Sequence, residues 1–217
     1  MLSLARRPGQ RIRIGEDIII VVREVRGRQV KLGIEAPDHV RVLREEIYEA
    51  VADANVRAAM SPAFNPTLEP DRTLPDCVSC PSARFGSVHG LALELPLGLP
   101  GFSGHHWVLA PSPDPNGFGW LQSVHRPEFG LTTATSARLK LDATFEPRSG
   151  EHALVCPNGS GLESLEIWHF MWRPAPEAKV LVNRFAPLFV NPEARMAIQI
   201  PLVGSGLSVE APWSDTP

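Results

Sequence analysis

The arginines of this 217-residue chain are concentrated at its start, where they could bind a polyanion. Residues 1–31 contain eight basic and three acidic side chains, a balance of +5, although the net charge of the whole chain is −3. Residues 61–217 have the opposite balance, with ten basic and fifteen acidic side chains. Because a basic surface attracts nucleic acid by long-range electrostatics, this asymmetry indicates polyanion binding at one end of the chain.

Residue patterns typical of catalysis do not occur in the sequence. There is no G-x-S-x-G turn for a nucleophile, no H-E-x-x-H pair for a metal ion and no glycine-rich phosphate loop. Aspartate, histidine and serine residues are scattered without a spacing that would form a catalytic set. We therefore expect a protein that is not an enzyme and that requires no cofactor.

Cysteine chemistry is the second candidate. Cys77 and Cys80 are spaced as C-x-x-C, but one such pair without a second is a weak zinc signal. A thiol switch, or a zinc site completed by His89, His105 or His106, is an alternative to two incidental linker thiols. We favour incidental thiols and predict no metal site.

The lengths of the apolar runs and the cysteine count predict the cellular compartment of the protein. No run reaches about 18 apolar residues, so no membrane span is expected. The segment DIIIVV at residues 17–22 is too short for the apolar core of a signal peptide. An odd, low count of three cysteines without an export signal then favours a cytoplasmic chain with reduced thiols.

Short strands must position the N-terminal arginines. Alternating or β-branched residues predict five strands before residue 44. They are LSLAR, RIRI, IIIVVREV, QVKLGI and HVRVL, at residues 2–6, 11–14, 18–25, 29–34 and 39–43. Five strands of this length leave exposed edges and a thin core, so the N-terminal module, residues 1–60, is predicted to be a homodimer.

The hydrophobic period changes after the fifth predicted strand. Ile47, Val51, Ala54 and Ala58 recur at helical spacing, which predicts a helix over residues 44–60. Acidic residues near its start and a basic residue near its end favour the helix dipole.

A proline-rich segment follows the helix. Residues 61–83 contain five prolines and have neither a helical nor an alternating pattern, which predicts a semi-extended linker.

The C-terminal module, residues 84–217, has strand-like runs separated by proline and glycine, and these predict an antiparallel β-barrel or sandwich. The runs are residues 87–95, 106–111, 120–124, 129–136, 162–172, 179–191 and 194–203. All five tryptophans fall in this module, and most of them are predicted to anchor its core, whereas an exposed one would serve a protein interface.

Four motifs in residues 1–55 stand in the order of one known family. They are RR-x-G from Arg6, the pair Ile14-Gly15, GIxAP from Gly33 to Pro37, and REEIY from Arg44 to Tyr48. The segment resembles the carbon storage regulator family, CsrA or RsmA. The resemblance implies an interlocked homodimer in which the first strand of one chain lies beside the fifth strand of the other. It also implies binding to GGA-containing hairpin loops in mRNA leaders.

This resemblance implies an RNA-binding surface. Its residues are Leu4, Arg6, Arg7, Val40, Val42, Arg44 and Ile47. The arginines offer planar guanidinium groups to phosphate, and Leu4, Val40 and Val42 offer an apolar floor beside exposed bases. Single-stranded loops suit such a surface because their base edges and faces are accessible.

The C-terminal module carries motifs of a second family. The segments ARFG (83–86), LPLGLPGF (95–102), FGWLQS (118–123) and LVNRFAPLFVNPEARMAIQI (181–200) resemble the flagellar assembly factor family, FliW. The resemblance covers residues 83–213 and implies a β-barrel that binds the carbon storage regulator and relieves its repression of flagellin mRNA. Flagellin competes for this binding in the family, so flagellin is a further expected partner.

The two resemblances together imply a contact between the modules. The FliW-like lobe is expected to bind the helix of the CsrA-like module near Tyr48, Val51, Asn55 and Ala58, although for Val51 ordinary helix packing is preferred. The expected function is an mRNA-binding translational regulator whose own lobe antagonises RNA binding, in cis or across the dimer. The alternative is a flagellin-binding, chaperone-like assembly protein in which the N-terminal module mainly dimerises.

Overall fold

Three antiparallel strands form the N-terminal sheet. The computed structural model describes residues 1–37, 40–61, 77–111, 117–141, 147 and 149–213. The N-terminal strands are β1 (Arg11–Ile14), β2 (Ile18–Arg26) and β3 (Gln29–Glu35), in the order β1-β2-β3. Gly27 begins the two-residue turn between Arg26 and Gln29 with a φ of 56°, a conformation in which glycine carries no steric cost.

Two of the five strands predicted for this module are not formed within the single chain. Residues 2–6 and 40–43 are described and carry no strand, whereas His39 lies outside the described residues. A strand requires a neighbouring backbone edge, and the outer edges of β1 and β3 pair with no other strand in the described part of the chain. Apolar side chains of the sheet are also exposed, including Val30 and Leu32 at 52% each.

The predicted helix is confirmed as α1 (Glu45–Met60). Glu45 and Glu46 lie in its first turn and Arg57 in its last, which suits the helix dipole. One side of α1 is buried and carries mostly small side chains, namely Val51, Ala54, Asn55, Ala58 and Ala59. No helix in the described residues is long and apolar enough to cross a membrane.

The C-terminal module is a ten-stranded sheet with one short helix. Its strands are β4 (Cys77–Ser82), β5 (Gly86–Glu94), β6 (His106–Pro111), β7 (Phe118–Ser123), β8 (Gly130–Thr135), β9 (Glu166–Trp172), β10 (Val180–Val182), β11 (Leu188–Asn191), β12 (Met196–Gln199) and β13 (Ala211–Trp213). A helix α2 (Ser149–Val155) and a 3-10 turn (Leu162–Ser164) precede β9. The predicted strand runs are largely confirmed, whereas α2 was not predicted.

Strand β4 corrects the predicted linker. Residues 62–76 of the linker lie outside the described residues, but Cys77–Ser82 pair with β5 in the sheet. Val78 and Cys80 pack into a cluster with Val88 and Trp120, while Pro81 is exposed on the edge strand, where a missing N–H is tolerated. The prolines of this segment led to the prediction of a linker, although inward and outward residues alternate along β4. The remaining module boundaries stay predictions.

The strand pairings run in a ring rather than in an open sheet. Strand β11 pairs with both β12 and β9, so the pairings return through β5, β6, β7 and β8. The contact of β12 with β5 is parallel and joins one residue pair, Met196 with Glu94. The sheet is therefore not purely antiparallel, and a fully closed barrel stays a prediction at this junction.

Most tryptophans are buried in the C-terminal module, as predicted. Trp107, Trp120, Trp168 and Trp172 are buried, and Trp213 is half-buried against Phe118. The largest buried cluster combines leucines of β5, β6 and β7 with Trp107, Trp168 and Trp172 and with alanines of α1. Trp120 lies in a separate cluster with Cys80 and Val88. The core of the C-terminal module therefore includes part of the N-terminal module.

A buried histidine makes the stability of this core dependent on pH. His169 Nδ1 donates to the Asn183 carbonyl oxygen at 3.0 Å, so Nε2 accepts from the Ser136 hydroxyl at 2.9 Å. The pKa of His169 is lowered from 6.5 to about 4, mainly by burial; the hydrogen bond to Asn183 opposes this lowering, and the charge of Arg184 adds to it. The neutral ring is therefore part of the folded core.

We expect acid to destabilise the fold through His169. Below pH 6.5 the unfolded chain takes up a proton that the folded chain accepts only near pH 4, so the free energy of unfolding falls across this window. The loss is about 3 kcal/mol at 1.36 kcal/mol per pKa unit. The free energy of unfolding can be measured with denaturant at pH 7 and at pH 4. Its loss between the two pH values should be smaller by this amount in His169→Gln than in the unmodified protein. Equal losses in both proteins would contradict the assignment.

Candidate functional site

Helix α1 packs directly on the C-terminal module. Ala54, Ala58 and Ala59 are at most 7% exposed and share one core cluster with residues of that module. The module contributes, among others, Leu93, Leu95, Leu99, Trp107, Leu131 and Trp168. Small side chains let the helix backbone approach the sheet closely, which explains why alanines occupy this side of α1.

Gly101 marks the closest backbone approach. Its φ is 89°, and a Cβ atom at this position would lie 2.8 Å from the Ala52 carbonyl oxygen and 3.0 Å from Val56 Cγ2. Any larger side chain would push α1 away from the loop after β5. The loop and the helix are therefore shaped to each other.

A pair of buried amides joins the two modules at the centre of this interface. Asn55 Nδ2 donates to Gln199 Oε1 at 2.7 Å and to the Pro100 carbonyl oxygen at 3.0 Å. Gln199 Nε2 donates to Asn55 Oδ1 at 3.0 Å and to the Ala186 carbonyl oxygen at 2.9 Å. Asn55 is 0% and Gln199 is 1% exposed. Both NH₂ groups use both of their protons, so this polar contact is fully satisfied without water.

Polar contacts also hold the C-terminal end of α1. Arg57 forms an ion pair with Glu210. The Ser61 hydroxyl donates to the Arg173 carbonyl oxygen at 3.0 Å and lies 3.0 Å from the Arg173 N–H, while Arg84 donates to the Ser61 carbonyl oxygen at 2.8 Å. The bond from Arg84 satisfies a backbone carbonyl at the helix end, where the last carbonyls lack intrahelical partners, and the other contacts join this end to the C-terminal module.

A cleft lies between the modules at the N-terminal end of α1. It is a cavity of about 420 Å³ with walls from both modules. The N-terminal walls are Ile34, Arg41, Val42, Leu43, Arg44 and Ile47, and the opposite walls include Glu151, Phe189, Ile200 and Leu202. The docked C-terminal module thus covers one side of the segment that links β3 to α1.

An ion pair crosses this cleft. Arg41 Nε lies 3.5 Å from Glu151 Oε1, with side chains 15% and 12% exposed. Burial lowers the pKa of Arg41, and the neighbouring Glu151 carboxylate opposes this effect. Loss of water around the charge is therefore the larger influence on this guanidinium.

Comparison with known proteins assigns both modules. The family model for CsrA, described as a global regulator protein family, matches residues 1–53, and the model described as FliW protein matches residues 82–213. The translational regulator CsrA of Thermotoga maritima is 54% identical over 59 residues, which cover 27% of this chain and 71% of that protein. The chain belongs to the CsrA family at its N-terminus and to the FliW family at its C-terminus. We call residues 1–61 the CsrA module and residues 77–213 the FliW module.

Further relatives agree with this assignment. CsrA of Pseudarthrobacter chlorophenolicus is 52% identical over 61 residues, covering 28% of this chain and 79% of that protein. The crystal structure of the flagellar assembly factor FliW matches with a TM-score of 0.55 and 17% identity, covering 64% of this chain and 98% of that one. At this identity the match shows the fold of the FliW module.

The four residues predicted to contact the FliW module fall on different sides of α1. Val51 and Asn55 are 0% and Ala58 is 3% exposed, whereas Tyr48 is 44% exposed. Asn55 carries the polar contact and Ala58 lies in the shared core. Sequence reasoning missed Gln199, which lies 144 positions after Asn55. The sequence around it indicated a strand but no contact with α1.

The predicted RNA-binding residues form two separate groups in the single chain. Val42, Arg44 and Ile47 line the cleft, and half-buried Val40 precedes them. The other group, Leu4, Arg6 and Arg7, is exposed and does not line the cleft. Arg41 was not among the predicted residues. Val40 and Val42 were assigned to the RNA-binding face of the fifth predicted strand, and alternation then places the side chain of Arg41 on the opposite face.

The described cysteines are buried. Cys80 is 2% exposed with its thiol 3.7 Å from the Ser123 carbonyl oxygen, and burial raises its pKa. Cys156 is 3% exposed, and the side chain of Cys77 lies outside the described residues. A raised pKa reduces the reactive thiolate, which disfavours Cys80 as a thiol switch. No group of three or more metal-ligating side chains occurs among those described.

Proposed function

We propose that this protein is a translational regulator that binds GGA-containing loops of mRNA leaders through its CsrA module. The FliW module antagonises this binding from within the same protein, and flagellar transcripts are the proposed targets. Family membership at both ends supports the pairing of a regulator with its antagonist.

The observation that carries this proposal is the docking of α1 on the FliW module of its own chain. The Asn55–Gln199 pair and the alanine side of α1 form an interface with the satisfied polar groups and close packing of a specific contact. The docked module also faces Val42, Arg44 and Ile47 across the cleft. RNA bound to those residues would meet the FliW module.

The connection between the modules makes the antagonist hard to dilute. Fifteen residues separate Ser61 from Cys77, which limits their separation to about 50 Å when the chain is extended. Short connections of this kind hold one partner near the other at an effective concentration on the order of millimolar. Docking therefore lowers the affinity for RNA even when the protein itself is scarce.

A homodimer is the proposed assembly. The outer edges of β1 and β3, the exposed Val30 and Leu32, and the unpaired segment at residues 2–6 all support a second chain completing the CsrA module. In that dimer Leu4, Arg6 and Arg7 of one chain would lie beside Val40, Val42 and Arg44 of the other. This arrangement accounts for the two groups seen in the single chain.

Arg44→Ala is expected to weaken binding of a GGA hairpin by about tenfold to a hundredfold, because a charged hydrogen bond contributes about 1.5–3 kcal/mol. The slope of log affinity against log salt should fall by about one unit, as one phosphate contact is lost. Arg28→Ala, the same change in the exposed turn after β2, is the matched control and should bind normally. Fluorescence anisotropy across a salt series measures both quantities.

The same variant separates this proposal from the alternative, a flagellin-binding assembly protein whose CsrA module mainly dimerises. In that alternative, Arg44→Ala leaves function intact and the full chain binds flagellin without any effect on RNA. In the proposed function, flagellin competes for the FliW module, so added flagellin should raise hairpin affinity. A hairpin affinity that flagellin leaves unchanged would favour the alternative.

A further inference from the structure

Arg41 is buried in the interface without its full set of hydrogen bonds. Its Nε and Nη2 atoms are inaccessible to solvent and have no hydrogen-bond acceptor among the described residues. Glu151 provides the nearby charge, but 3.5 Å between Nε and Oε1 is longer than a charge-assisted hydrogen bond. Buried donors in this condition call for an explanation, because most such groups in proteins are paired.

The position of Arg41 connects it to the proposed RNA surface. It lies between Val40 and Val42 and three residues before Arg44, and both arginines line the same cleft. Arg44 is exposed, so the chain places two arginines at one cavity of about 420 Å³. Paired guanidinium groups beside apolar walls suit a phosphodiester with an adjoining base.

We propose that Arg41 is a further phosphate-binding residue of the RNA surface and that Glu151 occupies its guanidinium in place of an RNA phosphate while the FliW module is docked. This inference rests on the proposed function and adds one contact through which docking lowers the affinity for RNA. The competing ligand is a phosphodiester group of single-stranded RNA, which carries one negative charge, as does the Glu151 carboxylate.

The geometry explains how one site can serve two occupants. A guanidinium presents a planar fork of donors that fits the oxygen atoms of either a carboxylate or a phosphate. Glu151 lies on α2 of the FliW module, so Arg41 meets it only when that module is docked. The long contact and the two unmet donors make this pairing weaker than an ideal one, which leaves it open to displacement by RNA.

Glutamine variants of the full chain test this competition. Glu151→Gln keeps the shape of the side chain but removes its charge, and it should bind a GGA hairpin about fivefold to tenfold more tightly than the unmodified chain. In an Arg41→Gln background the same change should have no effect. The salt slope of Glu151→Gln should exceed that of the double variant by about one unit.

Glu128→Gln is the matched control, because Glu128 is an exposed carboxylate paired with Arg126 elsewhere in the FliW module. It should bind the hairpin as the unmodified chain does. Equal affinities of the unmodified chain and Glu151→Gln would overturn the inference. A gain in affinity that persists in the Arg41→Gln background would also overturn it, because Glu151 would then act without Arg41.

A charge exchange separates the ion pair between residues 41 and 151 from the phosphate contact of Arg41. Arg41→Glu combined with Glu151→Arg restores an ion pair, so amide hydrogen exchange should show α1 as protected as in the unmodified chain. Hairpin binding should nevertheless be at least tenfold weaker than in Glu151→Gln, because residue 41 then repels phosphate. Restored RNA binding in the exchanged protein would contradict a phosphate-binding role. If no version of the chain binds the hairpin at any salt concentration, the proposed function itself fails.

Discussion

A chain shortened to residues 1–61 is expected to bind a GGA hairpin at least about a hundredfold more tightly than the full chain. The expected gain follows from the effective concentration of the attached FliW module, which is on the order of millimolar. A docking constant of about 10 μM or tighter, if the separate module has one, would give at least this hundredfold difference. Removal of that module uncovers the cleft side of Val42, Arg44 and Ile47 and releases Arg41 from Glu151.

The shortened chain is a reasonable test object because it matches proteins that occur separately. The 59 residues aligned with CsrA of Thermotoga maritima cover 71% of that protein. The cut falls at Ser61, ahead of β4, because a cut at residue 83 would leave a strand of the FliW sheet attached. Gel-shift titrations of both proteins against the same hairpin at one fixed salt concentration measure the difference.

Adding the FliW module back as a separate protein provides the control. The separate module should restore inhibition of residues 1–61 only when its concentration passes its docking constant, whereas the full chain is inhibited at any dilution. Equal affinity of the long and short chains would eliminate antagonism within the chain. Full inhibition of the short chain by trace amounts of the separate module would instead indicate that the connection contributes little.

The sequence predicted regular elements where one local pattern decides the structure. The β-branched run IIIVVREV predicted β2, alternation in QVKLGI predicted β3, and the helical recurrence of Ile47, Val51 and Ala54 predicted α1. Strand β4 was missed because its proline suggested a linker, although an edge strand tolerates proline. Helix α2 was missed because seven residues carry too little periodicity to be recognised.

The interface residues divide in the same way. Asn55 and Ala58 could be proposed from the family resemblance, because the helix that carries them is a local element. Gln199 and Glu151 could not be proposed, since their importance arises only when strands far apart in sequence bring them to α1 and Arg41. Pairing over such distances depends on the tertiary fold and leaves no pattern in one sequence.

Asn55→Asp is expected to release the FliW module and to raise hairpin affinity toward that of residues 1–61. The substitution replaces the Nδ2 donor with an oxygen atom that faces Gln199 Oε1 and the Pro100 carbonyl oxygen. A buried carboxylate against two acceptor oxygens destabilises docking by about 3–5 kcal/mol, which is the usual effect of an uncompensated buried charge. At 1.4 kcal/mol per factor of ten, docking weakens by about two to three and a half orders of magnitude.

Gln199→Glu tests the same contact from the opposite side. It removes the Nε2 donor that serves Asn55 Oδ1 and the Ala186 carbonyl oxygen, and it leaves the CsrA module unchanged. Asn158→Asp makes the same amide-to-carboxylate change as Asn55→Asp at an exposed turn and should behave as the unmodified chain. Hairpin affinity and amide exchange of α1 should change together in both interface variants.

These two variants also decide what the buried amide pair contributes. If docking depended mainly on the alanine side of α1, loss of the amide contact would leave exchange protection and RNA affinity unchanged, and the antagonist would stay bound. We expect the opposite, because packed alanines gain little if the module must also bury an unpaired charge beside them. Docking then depends on the hydrogen bonds between the two amide side chains. A partner that binds the FliW module in place of α1 would leave Arg41 and Arg44 available to RNA.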